Sequence, residues 1–442
     1  MHTSAVIFGL SPLWLSTILL LLVYGALIAD TLNRAIVAML GASAMVIMGV
    51  LTQDQATASA DPNTIGLLTG MMILVSISRR SGLFQYLAIW SARQAKASPW
   101  GILLILQITT AVLSALLDNV TTVLLVVPVT LAITRALDVP AYPFLFAEVF
   151  ASNIGGTATL IGDPPNILIG SLADLSFNSF VFNLTPVIIV VMAVQAVIIH
   201  RIWGKEMYAS PESKARIMAM IPEQAIEDVV LLKQSLVVLG FVIIGFIFAR
   251  QIGLEPGTIA MVGATILMLI DNWEHHGEKQ AENVHKTFTD VEWITIFFFI
   301  GLFIIVHGVE VGGLLQILAE KLVAATGGDM AHAGYAILWA SAFLSAIIDN
   351  IPFVATMIPL VKSMAPALGG PDAIQPLWWC LSLGACLGGN GTLIGASANL
   401  TVAGIAEREG INFSFWTYTK LAFPLMLISV AISHVYVWLR YF

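Results

Sequence analysis

An Asp-Asn pair stands twice inside long apolar stretches, in matching surroundings, and this constrains the fold more than any other feature of the chain. The first copy reads Ser114-Ala115-Leu116-Leu117-Asp118-Asn119 and the second Ser345-Ala346-Ile347-Ile348-Asp349-Asn350, 231 residues later. The same offset relates Pro128 to Pro359 and Gly82-Leu83-Phe84-Gln85 to Gly313-Leu314-Leu315-Gln316. Beyond each copy lies a second matched pair, Thr159-Leu160-Ile161-Gly162 with Thr392-Leu393-Ile394-Gly395, then Asn166 with Asn399, at offset 233. An ionisable residue within an apolar segment is costly and marks function by default. Two of them at corresponding places in two halves point to a solute site where the repeats meet.

Composition sets the medium. Of 442 residues, 58% are apolar and only 10% charged, against about 25% charged in soluble domains. The mean hydropathy is +0.91. These values describe a polytopic membrane protein and exclude a soluble enzyme. No separable signal peptide is expected at the start, because Met1–Gly9 carries no Lys or Arg before the first apolar run. The two cysteines, Cys380 and Cys386, sit six apart in one apolar segment, off a common helical face. They suggest packing and neither a disulfide nor a metal pair.

Apolar stretches of about 20 residues span a bilayer. Crossings are expected near 12–29, 34–51, 63–78, 143–170, 181–200, 234–252, 256–271, 290–307, 375–405 and 417–440. The stretches 100–134 and 335–362 are interrupted at the Asp-Asn pairs and read as re-entrant hairpins, with a kinked single crossing as the alternative. Ten crossings and two hairpins place Arg34, Arg79, Arg80, Arg93, Lys96, Arg135, Arg201, Lys205, Lys214, Arg216, Lys233, Lys279, Lys286, Arg408 and Lys420 on one face. Arg250, Lys321, Lys362 and Arg440 fall on the other, a split of 15 to 4. The bias toward cytoplasmic Lys and Arg then puts the first face in the cytoplasm and both termini outside.

Five crossings separate the hairpins, so 100–134 enters from the cytoplasm and 335–362 from outside. The expected fold is an all-α polytopic membrane protein with two inverted repeats, re-entrant hairpins and broken transmembrane helices. Residues 1–200 form the first repeat, 201–233 a cytoplasmic linker, and 234–442 the second repeat. Segments 80–98 and 309–326 are amphipathic and suit interfacial helices bracing the hairpins. His275, His276 and His285 lie among charges with no apolar frame, which suits a solvated loop better than a metal site; no metal and no cofactor are expected.

The chemistry lies in two Gly-rich runs. Residues 151–170 hold Asn153, Gly155, Gly156, Thr157, Thr159, Gly162, Asp163, Pro164, Pro165 and Asn166; residues 387–399 hold Gly388, Gly389, Asn390, Gly391, Thr392, Gly395, Ser397 and Asn399. Such runs cannot sustain continuous helix. Unwound backbone at membrane depth is tolerated only where it lines a cavity or is buried in protein. Its carbonyls and half-helix N-termini bind ions and polar solutes. The candidate solute ligands are therefore Asn119, Asn153, Thr157, Thr159, Asn166, Asn350, Asn390, Thr392, Ser397 and Asn399. The candidates for ion or proton coupling are Asp118, Asp349, Glu148 and Asp163, since carboxylates withdrawn from water can exchange protons near neutrality. Each has a plainer alternative. Asp118 and Asp349 suit helix caps, Asp163 an Asx-turn near the outer mouth, and Glu148 an interfacial position. His307, at the end of a crossing, reads as interfacial.

These motifs resemble those of the ion transporter superfamily, whose members include sodium-coupled dicarboxylate carriers, arsenite efflux permeases and the melanosomal P-protein type. The resemblance covers nearly the whole chain and is carried by Gly155-Gly156-Thr157-Ala158-Thr159-Leu160-Ile161-Gly162-Asp163-Pro164-Pro165-Asn166 and by Gly391-Thr392-Leu393-Ile394-Gly395-Ala396-Ser397-Ala398-Asn399. Within the superfamily the chain looks closest to the arsenite permease and P-protein branch. Carboxylate carriers there place Ser-Asn-Thr at both hairpin tips. Here the positions read Asp118-Asn119-Val120 and Asp349-Asn350-Ile351, which argues against a carboxylate substrate. The sodium/proton antiporter branch differs in the Gly-rich segment. The resemblance implies that the tips and broken crossings form the substrate and ion sites, and that dimers are common.

Two aspartates repel an anion and favour a cation, a proton or a neutral polyol-like solute. The expectation is a secondary transporter that exports arsenite or antimonite from the cytoplasm in exchange for protons, across the cell's inner (plasma) membrane. The alternative is a sodium-coupled importer of an inorganic or carboxylate anion, with the aspartates holding sodium. No G-x-x-x-x-G-K-[S/T] nucleotide loop is present. The chain is not read as an enzyme or a nucleic-acid binder, and a separate ATPase subunit stays open as a partner.

Overall fold

In the computed structural model, which describes residues 9–29, 31–205 and 207–442, the described residues form helices and no strand. Eight helices are long and apolar enough to cross a membrane, or nine if the bent pair Gln53–Ser59 and Pro62–Arg79 counts as one span. Ten crossings were expected. Five of the eight coincide with expected crossings, and three, Pro99–Leu116, Asn119–Leu137 and Met330–Ile347, lie in the stretches read as hairpins. Arg34–Ile47 and Pro256–Asp271 are shorter apolar helices, and two others are interrupted in mid-course. The outward faces of the long helices carry exposed Trp14, Leu21, Phe182, Phe241 and Leu439. Water does not tolerate so many large apolar groups in one belt, whereas lipid does.

The stretch 100–134 is a helix–break–helix unit, Pro99–Leu116 and Asn119–Leu137, and 335–362 is another, Met330–Ile347 and Asn350–Met364. Both breaks fall at the Asp-Asn pair. The aspartates cap the second helix of each unit, Asp118 accepting from Thr121 N at 2.8 Å and Asp349 from Ile351 N at 3.0 Å. The matched prolines, Pro128 and Pro359, lie inside these second helices. Amphipathic helices Leu83–Gln94 and Leu314–Ala325 precede the units, each entered through a left-handed glycine, Gly82 (φ +81°) and Gly313 (φ +88°). At Gly82 a Cβ would stand 1.9 Å from Ala225 O, because the linker runs directly across it and Glu227 N donates to Ser81 O. The linker itself contains the helix Pro211–Ala219 and a 3-10 turn at Pro222–Ala225.

A further correspondence emerges at the ends of the two halves. Helices Phe177–Trp203 and Phe415–Tyr441 are both 27 residues long, about 40 Å, capped by Ser176 and Ser414 and carrying internal Pro186 and Pro424. Earlier in each half, Arg34–Ile47 packs on Trp293–Gly312, and Pro256–Asp271 packs on Pro62–Arg79.

Candidate functional site

Both Gly-rich runs break their helices. The first lapses between Tyr142–Thr157 and Pro164–Leu172, the second between Gln375–Gly388 and Ser397–Arg408. The backbone turns extended at Asp163 (φ −144°, ψ 131°) and at its counterpart Ala396 (φ −149°, ψ 145°). Close approach explains the glycines. A Cβ on Gly156 would lie 2.4 Å from Gly162 O, and one on Gly162 would lie 2.5 Å from Gly156 O. A Cβ on Gly395 would lie 2.6 Å from Gly389 O. Each break is thus a loop pressed closed upon itself.

Matched polar side chains staple the loops to the adjacent helix–break–helix units. Thr159 Oγ1 donates to Ala115 O and Thr392 Oγ1 to Ala346 O, both at 2.5 Å. Ser114 Oγ donates to Ser152 O and Ser345 Oγ to Ala385 O, both at 2.6 Å. Asn166 Nδ2 donates to Thr157 O and Thr159 O, and Asn399 Nδ2 to Gly389 O and Thr392 O. The hydroxyl of Thr157 donates to Asn153 O within its own helix. The protons of Thr157, Thr159 and Thr392 are therefore occupied by carbonyls, as are the amide protons of Asn166 and Asn399.

A buried amide network joins the two breaks. Asn119 Nδ2 donates to Asn153 Oδ1 (3.1 Å) and to Asp163 Oδ1 (3.2 Å). Asn153 Nδ2 donates to Asn390 Oδ1 (2.9 Å) and Asn399 Oδ1 (2.8 Å). Ser382 Oγ donates to Asn166 Oδ1 at 2.6 Å, and the Cys386 thiol approaches the same oxygen at 3.6 Å. Tyr418 Oη donates to Asn390 O at 3.0 Å. Four side-chain atoms in this neighbourhood are buried without a full hydrogen bond, Asn119 Oδ1, Asp163 Oδ2, Asn350 Nδ2 and Asn390 Nδ2, although the Asn350 amide and the Cys386 thiol approach the Asp163 carboxylate. Buried polar atoms are nearly always paired in folded proteins, so two open acceptors and two open donors mark a place suited to a polar guest.

The carboxylates distribute unevenly. Asp163 is fully buried, makes no capping bond, and lies within charge–charge range of both Asp118 and Asp349. Followed by two prolines and without a capping bond, it is not an Asx-turn residue. Asp118 and Asp349, though 231 residues apart, thus converge on one neighbourhood. Glu148 is buried; the Thr130 hydroxyl donates to its Oε1, and Oε2 has no partner. It stands apart from the amide network. Ser397 Oγ donates to Asp349 Oδ2 at 3.1 Å. His307 is partly exposed and pairs with Glu310 at 3.2 Å.

Several participants escape the sequence reading, Tyr418 among them. Arg34, counted there among the loop cations, turns its guanidinium to within 3.7 Å of Asp349 Oδ2. Cys386, read as packing, touches Asn166, and Ser382 lies one turn before it. Only Ser114 and Ser345 carried a signal, their exact repetition at offset 231.

A polytopic helical bundle with two broken helices meeting over a buried polar cluster defines a membrane transporter. The citrate transporter family model matches residues 20–384, and the chain belongs to that family, within the ion transporter superfamily. An uncharacterized transporter of Mycobacterium tuberculosis is 41% identical over 423 residues, covering 95% of this chain and 96% of its own length. The human P protein is 33% identical over 506 residues, covering 96% of this chain and 59% of its own length. Among solved structures, the YdaH transporter of Alcanivorax borkumensis superposes with a TM-score of 0.60 at 13% identity, covering 97% of this chain and 98% of that one. MtrF of Neisseria gonorrhoeae, described as illuminating a class of antimetabolite efflux pumps, gives 0.57 at 12% identity, covering 98% and 96%. At these identities the structural likeness concerns the fold.

Proposed function

We propose that this chain exports trivalent metalloid, as arsenite or antimonite, from the cytoplasm in exchange for protons. The observation that carries the reading is the charge and hydrogen-bond inventory of the cluster. Asp118, Asp163 and Asp349 share one neighbourhood, and Arg34 is the one cation in ion-pair contact with any of them among the described residues. That excess repels a carboxylate or phosphate. Arsenous acid is neutral near pH 7 and offers three hydroxyls, each both donor and acceptor. These match the open acceptors on Asn119 and Asp163 and the open donors on Asn350 and Asn390. A carboxylate at this depth supplies the proton exchange.

The domain reading belongs to the same proposal. Residues 1–200 and 234–442 act as inverted halves around the cluster, with 201–233 as a cytoplasmic linker, both termini outside and the chain in the plasma membrane. Supporting it are the stapling bonds that recur at offset 231 or 233. A homodimer, which the resemblance suggests, and a separate ATPase subunit, which the missing nucleotide loop leaves open, are further partners that copurification tests.

A second reading has its own support. The family model is described by citrate, and Arg34 and the Asn350 and Asn390 amides are donors of the kind an anion requires. It makes the chain a sodium-coupled anion importer. Everted vesicles separate the two. Arsenite accumulation driven by a pH gradient supports export; citrate or another anion moving only with sodium, with arsenite immobile, overturns it.

A further inference from the structure

Asp118 and Asp349 hold matched positions, yet their surroundings differ by one charge. Arg34 opens the helix Arg34–Ile47, which packs with Pro12–Ala29 and Trp293–Gly312. Its Nη1 lies 3.7 Å from Asp349 Oδ2 and donates to Ser397 Oγ at 2.5 Å, while Nη2 donates to Thr295 Oγ1 at 3.4 Å. The guanidinium also stands 5.6 Å from the centre of the Phe298 ring. One turn beyond Asp349, Tyr24 Oη donates to Pro352 O at 2.6 Å. Helices far from the hairpin in sequence thus grip its tip through one ion pair and one hydrogen bond. A cavity of about 70 Å³ sits at this junction, lined by Arg34, Phe298, Asp349 and Ile394 among others.

The other half has no such grip. Helix Pro256–Asp271 begins with proline where Arg34–Ile47 begins with arginine. Among the described residues, no Lys, Arg or His stands within ion-pair distance of Asp118 or Asp163. Glu292, which accepts from Thr295 at 3.1 Å, adds a negative charge in range of Asp118.

We propose that Arg34 is the resident counter-cation of the second tip, a positioning residue that latches Asp349 to the helices of Arg34 and Phe298 and closes the small cavity between them. Asp118 is then the tip whose charge must be met by the transported proton or cation. This last point rests on the coupling role proposed above; the latch itself does not. A partly buried ion pair of this kind is costly to break from one side, because the remaining charge is left unpaired.

The test is thiol labelling, which requires no substrate. Ile394→Cys places a reactive group in the cavity wall, and the native Cys380 and Cys386 are buried and serve as the silent background. With a water-soluble maleimide on purified full-length protein, Arg34→Gln and Asp349→Asn should each speed labelling about tenfold, and the double variant should be no faster than either single. Arg34→Lys, which keeps the charge, should label near the parent rate. Unchanged labelling in Arg34→Gln, or single effects that multiply in the double variant, overturns the latch. If Arg34→Gln fails to reach the membrane, Tyr24→Phe, which removes the second grip, carries the same comparison with Asp349→Asn. A vesicle assay that finds no arsenite transport, with the labelling pattern as expected, rejects the substrate reading and leaves the latch standing.

Discussion

Asn153 is the side chain through which the two breaks communicate, since its amide accepts from Asn119 and donates to Asn390 and Asn399. Asn153→Ala removes all three bonds and leaves buried partners behind, at about 1–3 kcal/mol. The expected outcome is a lower melting temperature in detergent and loss of transport; unchanged melting would show that water replaces the amide. The coupling aspartates should behave differently. Asp118→Asn and Asp349→Asn keep a capping side chain, and asparagine caps helices as well as aspartate does. Folding of Asp118→Asn should therefore persist within a few tenths of a kcal/mol, whereas Asp349→Asn also leaves Arg34 without its ion-pair partner; Asp118→Ala costs about 1 kcal/mol through the lost cap. Uphill arsenite movement into everted vesicles should vanish in Asp118→Asn, because an amide does not exchange a proton in this range, and in Asp349→Asn because the contact with Arg34 is lost. If both still concentrate arsenite at the parent rate, coupling lies elsewhere, and Glu148 with its unpaired Oε2 is the next group to replace.

The breaks are the elements on which the site depends, and their two copies are not equally tight. A Cβ on Gly156 meets backbone at 2.4 Å, whereas one on Gly389 meets Gly395 O at 3.0 Å. Gly156→Ala should therefore disturb the loop more than Gly389→Ala, with transport lost in the first and reduced in the second. Quantifying folded protein by size-exclusion elution beside vesicle transport checks the order; equal effects would mean that the loops open in solution. Helix lapse in these runs was legible in the sequence, since four glycines and two prolines within residues 151–170 forbid a continuous helix. What was not legible is the assignment of roles. Thr159 and Thr392 look like ligands in the sequence and serve as staples in the fold, because a hydroxyl's partner depends on which backbone carbonyl lies within reach.

At the scale of the molecule, the halves are held together by buried contacts rather than by the linker alone. Gln195 donates to Leu425 O and Ser429 Oγ, and Asn153 reaches Asn390 and Asn399 across the same divide. Severing the chain near exposed Tyr208 leaves these contacts intact. Coexpressed fragments 1–207 and 208–442 should copurify through a tag on one of them. Fragments that never associate would show that the covalent linker is essential for assembly.

The sequence by itself determined the medium, the helical class, the positions of both Asp-Asn breaks and both Gly-rich breaks, and the family. These follow from local causes: apolar length, glycine and proline content, and a side chain's capacity to cap its own helix. Tertiary structure alone decided that Asp163 is buried, that Glu148 stands apart from the amide network, and that Arg34 leaves the loop cations to meet Asp349. The reason is physical. Burial and ion pairing depend on which segments approach through space, and residues 34, 349 and 397 are neighbours only because separate helices pack around one tip.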